Sequence, residues 1–284
     1  MALFGSYAGP KEVRYLFIDG EQLRRTAEEV GNDWFGKPVD IDYRSLQGGC
    51  QKVFYYDCLP AKQVGGDEAQ HQAKLEAKIA FFNRLRSLPG WHVSEGLARH
   101  RKKARQEQKE VDILIAVDML THTHRKNMHR LTFVSGDQDF APLLEAVVRD
   151  GMYVELLYPD GHTSQDLMHF ADVAMPMDVD FMYSIATDAF KKSNGLPARA
   201  GELERAPADG ILIGEGLNAG VPYATVWRVA NGDAICIKTV EPNANKNFFT
   251  VRDTDERRAK RYFVRSMEHH LGDAAATLEW KAST

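Results

Sequence analysis

The chain has 284 residues, 44% of them hydrophobic and 27% charged, close to globular averages, which excludes wholesale disorder and a fibrous repeat. That length exceeds what one ordinary domain needs, so a main domain with a smaller appended unit is expected. The formal net charge of −4 argues against a plain nucleic-acid-binding module; 14 Lys/Arg stand against 12 Asp/Glu from Phe190 onward, leaving 22 against 28 before it, so acid concentrates in the first part.

In chain order, the apolar run of Val13 to Ile18 predicts a strand that stops at Asp19-Gly20, and Glu21 to Val30 predicts a helix. Lys52 to Asp57 (KVFYYD) is rich in β-formers and reads as a second strand. A helical period through Leu75, Ile79, Phe82 and Leu85 predicts a helix over 67–88, closed by Pro89-Gly90, with a short strand at Trp91 to Ser94. A basic run, Arg99 to Lys109, comes next. Val111 to Leu120, apolar except for Asp112 and Asp118, predicts a helix buried on most sides. Leu131 to Ser135 is read as a parallel strand leading into Gly136-Asp137-Gln138-Asp139, with a helix over Phe140 to Arg149 and a strand at Tyr153 to Tyr158. This alternation predicts an α/β domain with a central parallel sheet, assigned to residues 1–185. Residues 186–209 lack a clear period and read as a linker. In 210–284, runs over Ala224 to Ala230 and Asp233 to Val240 flank Asn231-Gly232, a strong hairpin signal. With a third strand at Phe248 to Arg252 and a helix over Thr254 to Leu271, they predict a small β-rich domain closed by a helix.

The start of the chain lacks a basic segment followed by an apolar one, and no apolar run approaches about 18 residues, so a cytoplasmic location and no membrane partner are expected. Cys50, Cys58 and Cys236 are odd in number and form no CxxC pair, which suggests neither a disulfide framework nor a cysteine zinc site. No Walker loop and no Gly-x-Ser-x-Gly elbow is present.

The carboxyl ends of parallel strands share one sheet edge, so residues that follow different strands converge there. Asp19 follows the first strand, and Asp137 and Asp139 follow the strand at Leu131 to Ser135. Asp112, read as lying at the start of its helix, is favoured there by the dipole and enters from the same edge. A lone Asp after a strand is often only a turn residue or helix N-cap; the joint placement favours a site. Clustered carboxylates raise one another's pKa unless a cation is present, and a hard divalent ion, Mg²⁺ or Mn²⁺, resolves that conflict. Asp118, about 120° round the helix from Asp112, does not point squarely at the same ion.

FIDGEQL at Phe17–Leu23, KEVDILIAVDML at Lys109–Leu120 and VSGDQDFAPLLEAV at Val134–Val147 resemble the NYN branch of PIN-like nucleases, the LabA-like group, over roughly Tyr15 to Pro176. The resemblance implies a Rossmann-like PIN fold and metal-dependent endonucleolytic cleavage of RNA with Mg²⁺ or Mn²⁺. It places catalytic, metal-holding acids at Asp19, Asp112, Asp137 and Asp139 and supports Asp118 as a further metal-site acid. Gln22, where similar proteins commonly carry Asn, and Ser135 are expected to support the site from behind. The Gln22 departure keeps open a catalytically inactive RNA-binding or regulatory protein on the same fold. Family practice also allows a homo-oligomer.

The basic run, through Arg99, Arg101, Lys102, Lys103 and Arg105, is tethered just ahead of Asp112 and is expected to hold the RNA backbone; a solvated loop is the bland alternative. His122, His124 and His129 follow the buried helix without a zinc-site spacing and read as surface or supporting residues. Tyr56 or Asp57 is placed at the border of the crevice, and Tyr55 in the core.

Overall fold

The computed structural model describes residues 12–60, 67–96, 105–161, 163, 165–229, 234–271 and 277–283, and the chain divides into two compact units, Met1–Ser193 and Asn194–Thr284. The first unit runs β1 (Arg14–Asp19), α1 (Gly20–Phe35), α2 (Tyr43–Gln47), β2 (Lys52–Cys58), α3 (Glu68–Arg86), β3 (Trp91–Gly96), α4 (Arg105–His124) and β4 (Arg130–Val134). A 3-10 turn over Gln138–Phe140 follows, then α5 (Ala141–Arg149), β5 (Tyr153–Tyr158), α6 (Gln165–His169), β6 (Val173–Pro176), α7 (Val179–Ser184) and α8 (Asp188–Ser193).

Among the described residues its six strands are all parallel and stand in the order β3-β2-β1-β4-β5-β6. The chain builds outward from β1 to β3, then returns to the other side of β1 and builds outward again to β6. Between β1 and β4 the direction of winding reverses, and the crevice at the carboxyl ends of those two strands is where open α/β sheets receive ligands. β1 and β2 are buried almost end to end because helices cover both faces, which is why they read as unbroken apolar runs. One face packs Leu16, Ile18, Val53 and Tyr55 with Leu23 and Ala27 of α1 and Phe82 and Leu85 of α3. The other packs Phe17, Tyr56 and Phe133 with Val111, Ile115 and Met119 of α4 and Leu144 of α5.

Glycine fixes two close approaches at the carboxyl edge. A Cβ on Gly20 would lie inside contact distance of the Tyr55 ring, so the residue after Asp19 has to be glycine for α1 to start there. A Cβ on Gly136 would stand 2.7 Å from Pro159 Cδ, so glycine lets the chain leave β4 against the loop that follows β5.

α4 departs from expectation in two ways. It starts at Arg105, seven residues ahead of Asp112, so Asp112 is about two turns inside the helix and gains nothing from its N-terminal dipole. Nor is it buried on most sides: Val111, Ile115 and Met119 face the sheet, while Ile113 is 62% and Val117 53% exposed, with Leu114 and Leu120 also on the outer surface.

Segment 186–209 contains α8 and β7 (Ala198–Glu202) rather than unstructured chain alone. The second unit continues with β8 (Gly210–Asn218), β9 (Val221–Val229), β10 (Ala234–Thr239), β11 (Phe248–Asp253), α9 (Glu256–Leu271) and β12 (Glu279–Ala282). These strands form an antiparallel sheet in the order β12-β8-β9-β10-β11-β7. β9 and β10 pair as the expected hairpin, although Asn231-Gly232 itself lies outside the described residues. α9 packs on β10 and β11, with Ala259, Tyr262, Phe263 and Met267 buried at helical spacing. Lys238 is fully buried, its Nζ 2.5 Å from Glu202 Oε2 and donating to the Glu204 carbonyl at 2.9 Å. No helix among the described residues is long and apolar enough to cross a membrane.

Candidate active site

Asp19 is the last residue of β1 and the N-cap of α1, and its Oδ1 accepts the Gln22 N–H at 3.1 Å. An N-cap acid is ordinary; a buried one is not. Only 7% of Asp19 is exposed, and that burial pushes its carboxyl up to about 7, against the lowering effect of the Gln22 N–H. The negative charges of Asp112, Glu21 and Asp57 push it further in the same direction. Among the described residues no Lys or Arg forms an ion pair with Asp19.

Asp137 repeats the device on the neighbouring strand. It caps the 3-10 turn, its Oδ1 accepting the Asp139 N–H at 2.9 Å, while its own N–H donates to Ser135 Oγ at 3.2 Å. Ser135 is fully buried and its N–H is tied to the Leu157 carbonyl at 3.1 Å, so it fixes the loop that presents Asp137. Asp137 is half-buried and Asp139 exposed. Gln22 meets Asp19 through its backbone N–H, and its own carbonyl accepts from Thr26 Oγ1 at 2.9 Å.

On α4, Asp112 is half-buried and within electrostatic reach of Asp19. Asp118 Oδ2 accepts the hydroxyl of the buried Tyr56 at 2.8 Å, and its charge acts on His92 and His122. Asp19, Asp112 and Asp57 are thus electrostatically linked, and Asp137 and Asp139 follow the end of β4, the strand paired with β1. Among the described residues no group of three or more His, Cys, Asp or Glu is close enough to enclose a metal ion. The donor chemistry still suits Mg²⁺ or Mn²⁺, which take one or two carboxylates and keep several waters, and a buried carboxylate lacking a cation is where such an ion gains most.

Asp57 is the site residue whose importance sequence reading underrated. It is the penultimate residue of β2 on the same edge, is 6% exposed, and fills its carboxylate with the Tyr55 hydroxyl at 3.2 Å, the Cys58 N–H at 2.7 Å and Lys78 Nζ at 2.5 Å. Tyr55 is core, as expected, and Tyr56 is buried against α4 rather than bordering the crevice.

Arg99, Arg101, Lys102 and Lys103 lie outside the described residues, and Arg105 is the first residue of α4. The histidines have structural partners: His122 packs 4.8 Å from the Phe54 ring, His124 pairs with Asp150 at 2.9 Å, and His129 Nδ1 accepts the Val13 N–H. The cysteines are unpaired with one another.

A family model described as NYN domain matches residues 15–178, more than half of the chain. The chain belongs to the NYN domain family. Proteins of this family are generally nucleases, so the first unit is a nuclease-like domain. A crystal structure of a protein of unknown function from Vibrio parahaemolyticus is similar to this NYN chain at 21% identity and a TM-score of 0.44, covering 60% of this chain and 96% of that one. No curated protein matches it.

Proposed function

We propose that this NYN protein is a metal-dependent endoribonuclease that hydrolyses phosphodiester bonds of single-stranded RNA in the crevice above β1 and β4. The observation that carries the reading is Asp19: a carboxylate 7% exposed, raised to about 7 by burial and by surrounding acids, at the winding reversal of a nuclease-family sheet. Asp19 and Asp112 would hold Mg²⁺ or Mn²⁺, with Asp137 and Asp139 meeting it directly or through water. Bound there, the ion supplies a Lewis acid that offsets charge building on the scissile phosphate and activates water for in-line attack.

The chain's own residues prepare that chemistry. The Gln22 N–H fixes one oxygen of Asp19, and burial keeps bulk water from screening the carboxylate. Ser135 and the 3-10 turn hold Asp137 at the end of β4. Asp139, exposed on that turn, is free of the core and suited to orienting the attacking water. Arg101, Lys102 and Lys103, ahead of α4, supply cations for the RNA backbone.

A second reading, an RNA-binding protein without catalysis, is favoured by one observation: the described acids form no closed group of three. Incubation of labelled single-stranded RNA with the protein in Mn²⁺ or in EDTA separates the two. Cleavage that needs metal and is lost in both Asp19→Asn and Asp137→Asn supports the nuclease; retention of RNA binding with no cleavage in any metal supports the silent protein. Undiminished cleavage in both variants rejects the site.

A further inference from the structure

The Asp57–Lys78 pair has more order built into it than a helix-to-sheet tie requires. Asp57 is 6% exposed, and its carboxylate is filled by three donors, two of them, the Tyr55 hydroxyl and the Cys58 N–H, from its own strand. The third is Lys78 Nζ, on the middle of α3, whose ammonium also stands 5.8 Å from the centre of the Phe81 ring and 5.3 Å from that of Phe82. A lysine side chain ordinarily loses considerable rotamer entropy on being fixed, and here one carboxylate and two rings hold it in place. An ammonium carries three donors; Asp57 takes one, and Lys78 keeps 19% of its side chain open to solvent.

Position gives this cation its meaning. Asp57 lies near the end of β2 beside Asp19 on β1, in register one residue past the Asp19–Tyr56 pairing, and its charge reaches Asp19. A second cation, Arg24 on the first turns of α1, lies within electrostatic reach of the same Asp57 carboxylate. A polyanion approaching the acidic crevice is repelled by Asp19, Asp57 and Asp112 unless a fixed positive charge stands at the rim.

We infer that Lys78, held by Asp57, Phe81 and Phe82, is a phosphate-binding residue that seats the backbone of the nucleic-acid strand beside Asp19. The inference rests on the nuclease reading and adds to it a named anchor on the α3 side of the crevice, opposite α4. Asp57 acts through Lys78: it is a positioning residue, its own oxygens being occupied.

RNA binding measured in EDTA across a range of salt concentrations tests this without catalysis. Three variants are compared with the wild type: Asp57→Asn, Lys78→Met and the double variant Asp57→Asn/Lys78→Met. The double variant removes both charges together, so no buried ion is left alone, and thermal melts check that it folds. Loss of one phosphate contact should weaken binding about tenfold and reduce the slope of log K against log salt by about 0.7 in both variants that lack Lys78. Asp57→Asn keeps the ammonium but loosens the hold on it, so binding should weaken by less than in the variants that lack Lys78 while the salt slope stays that of the wild type. A folded double variant with wild-type affinity and slope overturns the inference while leaving the nuclease reading intact. Binding lost equally in Asp57→Asn marks the pair as purely structural and also overturns it. A wild type that neither binds nor cuts RNA rejects both readings.

Discussion

Replacing Asp19 with Asn should change how stability depends on pH. The folded carboxyl titrates at about 7, whereas its ordinary value is 3.8. Between those values the folded protein binds a proton at Asp19 that the unfolded chain has released. Stability contributed at this residue is therefore highest below about pH 4 and falls as pH rises towards 7, the reverse of a salt-bridged acid. At about 1.36 kcal/mol per pKa unit, a displacement of some three units amounts to about 4 kcal/mol of lost stability above neutrality. Asn keeps the oxygen that accepts the Gln22 N–H but carries no charge, so the variant lacks this dependence. Urea unfolding in EDTA, from about pH 4 to about pH 8, should show the two proteins alike at the acid end and Asp19→Asn more stable at the basic end. Mn²⁺ should raise the melting temperature of the wild type near neutrality and leave Asp19→Asn unmoved, since the ion offsets the same charge. Parallel pH profiles for the two proteins in EDTA would refute the reasoning, because they would mean that Asp19 is solvated or already neutralised.

Gly20→Ala should destabilise the first unit by about 1–3 kcal/mol, read as a lower urea midpoint, because its Cβ cannot share space with the Tyr55 ring. Tyr56→Phe removes the donor to Asp118 and should cost about 1–3 kcal/mol without abolishing metal-dependent cleavage; a complete loss of cleavage in a folded variant would put Asp118 into the reaction itself. Glu202→Ala leaves the fully buried Lys238 with only the Glu204 carbonyl and should cost about 3–5 kcal/mol in the second unit, visible as a calorimetric transition displaced to lower temperature.

The sheet edge was legible because the signals that define it are local. An unbroken apolar run ending in Asp19-Gly20, and another ending in Ser135-Gly136-Asp137, announce buried parallel strands and the turns that leave them. What escaped lacks such signals. The first two turns of α4, from Arg105 to Glu110, hold only Arg, Gln, Glu and Lys, so a reading based on apolar period starts the helix late at Val111 and misplaces Asp112 at its end. The outer face of α4 carries Ile113, Leu114, Val117 and Leu120, and composition alone reads such a helix as enclosed. β6 is a four-residue edge strand ending in Pro176, and the glycines of β8 interrupt its apolar pattern. The Asp57–Lys78 pair joins residues 21 apart on a strand and a helix, a tertiary meeting that no spacing rule encodes.

Magnitudes decide between the ordinary and the functional account of the two strand-end acids. Both Asp19 and Asp137 are N-caps, so capping alone explains why each follows its strand. A cap contributes about 1 kcal/mol, and an exposed Asp provides it without loss; Asp137, half-buried, is compatible with that role alone. Asp19 is not. Net of its bond to Gln22, its burial and its acidic neighbours cost about 4 kcal/mol when it is charged, several times what a cap contributes. Ser or Asn would cap α1 equally well at that position with no charge to bury. The excess is what a divalent ion or a bound cationic group would offset, and it makes Asp19, more than Asp137, the residue through which the metal reading stands or falls.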